Sequence, residues 1–482
     1  MKKSLFLVAA AALALTACSN DDATQQAQAV AAPQAVVFDT YTAGTTRSDA
    51  WIGKPGAMTT TTLQAAVGEG GGFGVFATYS DSEKSGVGGV GAYAAAQGPN
   101  FMYNQLVKWN STSMGWEYEP LKYWPNETKN DSQTPAAMAA TMDTRVDKLT
   151  FFAYAPYVAS ADASADAAVG DLKGVTCTTP HTPDADQYGI IKITANNAAT
   201  DPKVTYRVSK DATKTVDLLW GVAPAGGLSY ATVDPGYVAG PPTSATLTVA
   251  EGLPLIDLIK PNKDQKMKFL FKHALSRLNF TVVGAFDQIA PGGSFTTGGS
   301  QTTKVLVEKV DVFEGAASSI KTNGVLNLNN GTAWVANWET KNGGNYTSSP
   351  LFTVTNAELT ASIKDAGKVA FSSQPEGVTT AEKPLFADAT KFFAVIPNDG
   401  TQFVFEITYY VQTVDAALAA DGSVDGSRVK NVVRVPVTVD LKNNKSYNFR
   451  LILGLTSVKL DAEVADWELA GDVDAYLPRN ND

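Results

Sequence analysis

Alternating apolar and polar residues recur in short runs along most of the chain. A period of two is typical of β-strands that bury one face. The runs predicted as strands are 73–80, 149–158, 188–195, 203–209, 216–223, 269–284, 304–315, 391–397, 403–411, 432–441 and 447–460. The pattern therefore predicts an all-β protein with little helix.

The length of the chain, 482 residues, is enough for two domains of ordinary size. A proline-rich segment, 236–265, separates the strands of the two halves and is typical of an interdomain connection. With the boundary near Asn262, the prediction is two β-sandwiches in tandem, at 48–262 and 263–482.

The N-terminus has the pattern of an export signal. Two lysines precede an apolar run from Leu5 to Leu15, which is far shorter than the ~20 residues that span a bilayer. The sequence Leu-Thr-Ala before Cys18 resembles the lipobox of bacterial lipoproteins. That resemblance implies a signal peptide at 1–17 and a lipid on Cys18. A secretory signal with a chance cysteine is the alternative.

One short apolar segment stands apart from the predicted body. After a polar tether, the run 35–42 contributes Val36, Val37, Phe38 and Tyr41, and a lone strand needs a sheet to join. Arg47 follows it and is the only basic residue between Lys3 and Lys54. A basic-specific protease would therefore have one site here, between Arg47 and Ser48, which would separate a propeptide, 18–47, from the body.

Charge and histidine content argue against several functions. The net charge is −10 and no basic block occurs, so nucleic-acid binding has little support. The pair Cys177 and His181 lacks the further ligands of a zinc site. The other histidine, His273, is interpreted as a partly buried, hydrogen-bonded strand residue. No catalytic residue, metal, cofactor or enzyme activity is predicted.

Four further segments are candidates for binding motifs. The glycine-rich run 86–91 lacks the strand and helix of a dinucleotide site. The acidic runs 162–171 and 421–428 lack the pattern of a calcium loop, which leaves a structural ion open. Aromatic residues crowd 109–125, where burial in a sandwich core is favoured over a glycan platform. The tryptophans concerned are Trp109, Trp116 and Trp124.

The order of several motifs resembles the fimbrillin family of Bacteroidetes, from about Phe73 to Trp467. The motifs are LKYWP, KLTFFAYAPY, DLLWGVA, FKHALSRLNFTV, FFAVIP, VPVTVDLKNNKSYNFRLILGL and VADWE. The resemblance implies a subunit of type V pili with two transthyretin-like Greek-key β-sandwich domains. It also implies an outer-membrane lipoprotein precursor that becomes part of a cell-surface fimbrium.

The resemblance assigns roles to the two ends of the chain. An arginine-specific protease would cut after Arg47 and remove the strand that holds Val36 to Tyr41. A strand from a neighbouring subunit would then fill the vacated groove. The C-terminal tail is the candidate donor, and its folding back as an edge strand is the alternative. The apolar residues it would insert are Trp467, Leu469, Val473, Tyr476 and Leu477.

The implied partners are copies of this chain, other fimbrial subunits, the maturation protease, the outer membrane before cleavage, and a host or bacterial surface ligand. Two other functions stay open at this stage. One is a fimbrial tip or anchor protein, and the other is a glycan-binding surface lipoprotein.

Overall fold

The structure is a computed structural model, and the residues that it describes belong to the unit Gln34–Asp482. The described residues are 35–42, 57–67, 71–80, 92–95, 98–125, 148–160, 172–173, 175–179, 182–195, 200–231, 246–261, 266–284, 303–316, 320–354, 369–370, 383–384, 392–418, 426–453, 458–466 and 474–475.

Strands make up almost all the regular structure of these residues. The first thirteen are β1 Phe38–Thr42, β2 Phe73–Ser80, β3 Met102–Asn110, β4 Gly115–Glu117, β5 Lys148–Ala155, β6 Cys177–Thr179, β7 Thr182–Pro183, β8 Gly189–Thr194, β9 Lys203–Arg207, β10 Leu219–Val222, β11 Leu228–Ala231, β12 Thr246–Val249 and β13 Leu255–Leu258. The others are β14 Met267–His273, β15 Ser276–Gly284, β16 Thr303–Glu314, β17 Lys321–Asn327, β18 Asn337–Gly343, β19 Phe352–Val354, β20 Val369–Ala370, β21 Lys383–Pro384, β22 Phe393–Val395, β23 Thr401–Val414, β24 Gly426–Val439, β25 Lys445–Leu453, β26 Val458–Asp466 and β27 Asp474–Ala475. The prediction of an all-β protein is confirmed.

The largest sheet, sheet A, has the strand order β1-β14-β10-β5-β2-β3-β4, and β13 also pairs with β5. Its inner strands β2 and β5 are buried on both faces, which explains their nearly continuous apolar sequences. One face packs into a cluster that includes Phe73, Phe151 and Phe269. The other packs into a larger cluster that includes Phe152 and Trp220. The buried side chains of the N-terminal segment, Val36 and Phe38, belong to the first of these clusters.

Three further sheets contain most of the other strands. Sheet B has the order β21-β15-β25-β26-β27, with β22 also on β15, and sheet C has the order β19-β16-β23-β24, with β20 also on β16. Sheet D, β18-β17-β9-β8, combines strands from both halves of the sequence. Two hairpins, β6-β7 and β11-β12, complete the described set. Strands β23 and β24 pair antiparallel along their whole lengths, and the last three residues of the acidic run 421–428 belong to β24.

Two predicted strands are each split in two, and those predictions were wrong in that respect. The run 269–284 becomes β14 and β15, which belong to different sheets. Ala274 and Leu275 form the corner between them and are buried. The Ala274 N–H donates to Leu218 O at 2.8 Å, and the indole of Trp338 donates to Ala274 O at 3.0 Å. These contacts turn the chain where the apolar pattern shows no break. The run 447–460 similarly becomes β25 and β26.

A short helix, α1 Thr60–Leu63, anchors the segment that follows the predicted cleavage site. Thr59 caps it through a reciprocal pair of hydrogen bonds with Thr62, which satisfies free N–H groups of the first turn. Leu63 is fully buried beside Met58 in the aromatic core under sheet A. Among the described residues, no helix is long and apolar enough to cross a membrane.

Candidate functional site: the N-terminal strand and its groove

Strand β1 forms one end of sheet A, held by backbone contacts on both sides. It runs parallel to β14, in a register that pairs Phe38 with Met267 and Thr42 with Phe271. The Met267 N–H donates to Val37 O at 2.7 Å. On the opposite side, the Val36 N–H donates to Lys122 O at 2.9 Å. The segment predicted as removable thus lies in a groove between β14 and residues 118–124, which we call the β1 groove.

Alternate side chains of this segment point into the core. Val36 is fully buried, and Phe38 and Thr40 are 1% and 5% exposed. Val37, by contrast, is 37% exposed, and the exposed Asp39 carboxylate lies 4.0 Å from Nζ of Lys268. Burial with a period of two is what a half-buried strand requires. Of the predicted strand residues, Val36 and Phe38 therefore hold the segment in place, whereas Val37 faces outward.

Four aromatic rings enclose Phe38. The ring centroids lie 5.6 Å away for Tyr118, 5.7 Å for Phe151, 6.0 Å for Phe269 and 6.3 Å for Phe73. Three of the four contacts are edge-on, an arrangement that the quadrupoles of the rings favour. Phe38 is therefore the main apolar anchor of β1.

Tyr118 adds a polar contact at the same place. Its hydroxyl donates to Val36 O at 2.8 Å and accepts from the Lys122 N–H at 3.2 Å. Burial raises the pKa of Tyr118 to about 12, so the hydroxyl keeps its proton at neutral pH. Tyr118 thus joins β1 to the chain segment that closes the groove.

We expect Tyr118→Phe to lower the free energy of unfolding of the uncut chain by about 1–2 kcal/mol, because the Val36 carbonyl and the Lys122 N–H lose a partner. Denaturant unfolding measures this change. Tyr188→Phe is the control, since Tyr188 is 40% exposed. Equal stabilities for the two variants would contradict the role assigned to Tyr118.

Two polar atoms beside the groove have no hydrogen-bond partner. They are Oγ1 of Thr40 and Nε1 of Trp116, and both are buried. Trp116 is on β4, which lies against β1. Unpaired buried polar atoms are rare in folded proteins, and these two lie on β1 and on the neighbouring β4.

Several predicted site residues lie outside the described part of the chain. These are Cys18, Arg47, Ser48, Trp467, Leu469, Val473, Tyr476 and Leu477. The backbone of Tyr41 belongs to β1, but its side chain is also outside the description. Near the C-terminus, β27 pairs antiparallel with β26 of the same chain, with Asp474 opposite Asp461. This short pairing favours the fold-back alternative for the tail.

The interpretation of His273 as a hydrogen-bonded strand residue is confirmed, but its side chain is fully buried, not partly buried. It is 2% exposed, and its Nδ1 lies 2.7 Å from Oδ2 of Asp217. Asp217 also accepts the backbone N–H groups of Met58 at 2.8 Å and Leu218 at 2.9 Å. Asp217 thereby fastens the segment after the predicted cleavage site to β14. The sequence does not predict this role of Asp217, because a single acidic residue in an apolar run does not indicate which groups it contacts.

Most of the aromatic cluster at 109–125 packs in the core, the arrangement that the sequence favours, whereas Tyr123 is 48% exposed. Trp116 and Trp124 are only 6% and 3% exposed, and the ring of Trp109 packs edge-on against Trp116 at 5.4 Å. These rings are therefore not displayed as a glycan platform. Tyr118 lies in the same cluster. In the sequence, its position among other aromatic residues is the one feature that indicates burial.

The other candidate sites give no ion-binding arrangement in the described residues. His181 and the run 162–171 fall outside them, whereas Cys177 is a partly buried cysteine in β6. Within the described ranges, no group of three or more His, Cys, Asp or Glu side chains is placed to hold a metal ion.

Sequence comparison connects this chain to a fimbrial protein. It is 31% identical over 164 residues to the fimbrium subunit Fim1C of Phocaeicola vulgatus. The chain is a relative of Bacteroidetes fimbrial proteins. The alignment covers 34% of this chain and 33% of that subunit, so the chain matches about a third of the length of this fimbrial relative. No model of a known protein family matches it.

Structural comparison shows a shared fold. The crystal structure of a fimbrial protein from Bacteroides vulgatus superposes with a TM-score of 0.53 at 17% sequence identity. The match covers 90% of this chain and 99% of the fimbrial protein. The resemblance predicted from the order of the motifs is therefore confirmed.

Proposed function

We propose that the chain is a structural subunit of a surface fimbrium, a type V pilus, that polymerises by exchanging β1 for a strand of a neighbouring copy. The observation that carries this proposal is the burial of Val36 and Phe38 on a strand that precedes Arg47. The fibre would support adhesion to a host or bacterial surface. The relationship to a fimbrium subunit supports the same function.

Loss of β1 would create a site for another strand. The Met267 N–H would lose its acceptor, and the aromatic rings around Phe38 would face solvent. An open strand edge above an apolar groove binds an extended segment through main-chain hydrogen bonds, and alternate side chains set the register. The empty β1 groove is therefore suited to strand addition and needs no catalytic group.

The proposed maturation follows from the order of segments along the chain. The signal peptide 1–17 is removed, Cys18 carries the lipid in the outer membrane, and an arginine-specific protease cuts between Arg47 and Ser48. On the C-terminal side of that site, the hydrogen bond from the Met58 N–H to Asp217 attaches the chain to the folded body. The cut would thus free β1 without detaching the new N-terminal segment.

The proposed donor is the C-terminal tail of another copy, with Trp467, Leu469, Val473, Tyr476 and Leu477 as its apolar residues. In a subunit that donates its tail, the pairing of β27 with β26 opens. We also propose that the strands form two transthyretin-like Greek-key sandwiches, at 48–262 and 263–482. In this division, β14 follows the boundary and pairs back into sheet A.

An experiment with one arginine variant and one lysine variant tests this function. The chain from Ser19 onward, its Arg47→Gln variant and its Lys54→Gln variant are treated with an arginine-specific protease and run on an unboiled gel. Wild type and Lys54→Gln are expected to give ladders of heat-labile multimers, and Arg47→Gln is expected to stay monomeric. A cut wild-type chain that remains monomeric, or a ladder from Arg47→Gln, would overturn the proposal.

A further inference from the structure

A lysine and an asparagine from the two halves of the sequence are neighbours in sheet D. Lys203 is on β9 and lies directly opposite Asn327 of β17 in the antiparallel register. The side chains of such a pair share one face of the sheet, with Cβ atoms about 4.5–5.5 Å apart. Lys203 precedes the proposed domain boundary and Asn327 follows it. An amine and a carboxamide are therefore held side by side where the two halves pair.

A glutamate from the next strand contacts both groups. Glu339 is the extra residue of β18 at a shift in its register with β17. Such bulges change the direction in which a side chain points. Oε2 of Glu339 lies 2.6 Å from Nζ of Lys203, and Oε1 accepts a hydrogen bond from Nδ2 of Asn327 at 2.7 Å. The carboxylate thus bridges the amine and the carboxamide.

The carboxamide of Asn327 is held at both its nitrogen and its oxygen. Nδ2 also donates to Oδ2 of Asp201 at 3.1 Å, and Oδ1 accepts the Asn329 N–H at 2.8 Å. Asn327 is only 5% exposed. A backbone N–H at Oδ1 stabilises the negative charge that develops there when the carbonyl carbon is attacked. The arrangement therefore contains a nucleophile, a fixed acyl group and a group that can transfer protons between them.

We propose that Nζ of Lys203 and Cγ of Asn327 become joined by an amide bond within the chain, with Glu339 as the catalytic residue. The fixed proximity of the two groups replaces an encounter between separate molecules, which removes much of the entropic barrier. This modification goes beyond the proposed function and does not depend on the exchange of β1.

The reaction balances without an external reagent. Nζ of Lys203 passes a proton to Oε2 of Glu339 and attacks Cγ of Asn327, so that the new C–N bond forms. The bond from Cγ to Nδ2 then breaks. Both protons that Nζ loses end on the departing nitrogen, the second of them also by way of Glu339. A protonated amine and a carboxamide thereby give a secondary amide and an ammonium ion, and the carboxylate is regenerated.

The bond closes a covalent loop from residue 203 to residue 327. A cross-link over a long stretch of chain restricts the unfolded state and so stabilises the folded one. It lies between β9 and β17, the strands through which the two halves of the sequence pair in sheet D. Force that pulls these halves apart is then resisted by a covalent bond as well as by the hydrogen bonds of the sheet.

The intact mass of the purified, denatured chain from Ser19 onward tests the bond. The mass is expected to be about 17 Da below that of the sequence, because one ammonia is lost. Fragmentation of a digest is expected to give a branched peptide that contains both Lys203 and Asn327. A mass equal to that of the sequence would overturn the proposal, and so would a loss that fragmentation places at another asparagine.

Two variants test the assigned roles. Lys203→Arg keeps the positive charge without the amine, and Glu339→Gln keeps the shape without the carboxylate, so both chains are expected to have the full mass of their sequences. Lys309→Arg and Glu406→Gln are the controls, because each alters one partner of another ion pair, and both should still lose ammonia.

The variants contradict separate parts of the proposal. The branched peptide in a digest of Glu339→Gln would refute the catalytic role of the glutamate. A loss of ammonia in Lys203→Arg would show that the reaction occurs elsewhere and would refute the bond itself. The wild-type mass decides the proposal even where a variant does not fold.

Discussion

Replacing Phe38 with alanine is expected to lower the free energy of unfolding of the uncut chain by about 3–5 kcal/mol, the usual range for removing a buried aromatic ring. The ring fills the space between Tyr118, Phe151, Phe269 and Phe73, so its loss leaves a cavity that rigid neighbouring strands cannot close. Denaturant unfolding of the chain from Ser19 onward measures the change.

The neighbouring residue supplies the control for Phe38. Val37→Ala is expected to change the free energy of unfolding by less than about 0.5 kcal/mol, because Val37 is 37% exposed on the outer face of the segment. Comparable losses for the two variants would mean that Phe38 does not anchor β1.

Replacing Asp217 with alanine is expected to destabilise the chain by about 3 kcal/mol or more, since each buried donor left without an acceptor costs about 1–3 kcal/mol. The carboxylate accepts the N–H groups of Met58 and Leu218 and lies 2.7 Å from Nδ1 of His273. The loss should appear in both the uncut and the cut chain, because none of these residues precedes Arg47. Denaturant unfolding of both forms measures it.

Asp186→Ala is the matched control for Asp217, because Asp186 is an exposed acidic residue in a turn. Its effect should stay within about 0.5 kcal/mol. A loss for Asp217→Ala in the uncut chain alone would contradict the view that Asp217 fastens the body independently of β1.

The sequence predicts the strands of this protein well where the period of two is clear. The run 403–411 lies within β23, where buried and partly buried residues alternate from Thr401 to Ile407. The sequence predicts that Val36 and Phe38 belong to an isolated strand, because the apolar residues there lie between a polar tether and a polar loop. Local pattern suffices for these features, since strand propensity and alternation are local properties.

Other features depend on contacts between distant parts of the chain. β1 pairs with β14, more than 220 residues away in sequence, and nothing in residues 35–42 specifies that partner. The sheet change at Ala274 and Leu275 is set by Leu218 and Trp338, which lie outside the motif. The Asp217–His273 contact likewise joins two strands that meet only in the folded sheet. Partner choice of this kind is determined by tertiary packing and is absent from the periodicity.

The most direct test of the account is hydrogen exchange at the amides of β14 in three states of the chain. The states are uncut monomer, freshly cut chain that has released 19–47, and assembled multimer. Strand exchange predicts that the N–H groups of Met267, Phe269 and Phe271, which point toward β1, are protected in the first state, exposed in the second and protected again in the third. Multimers in which these amides remain exposed would show that assembly does not refill the β1 groove, and would contradict strand exchange.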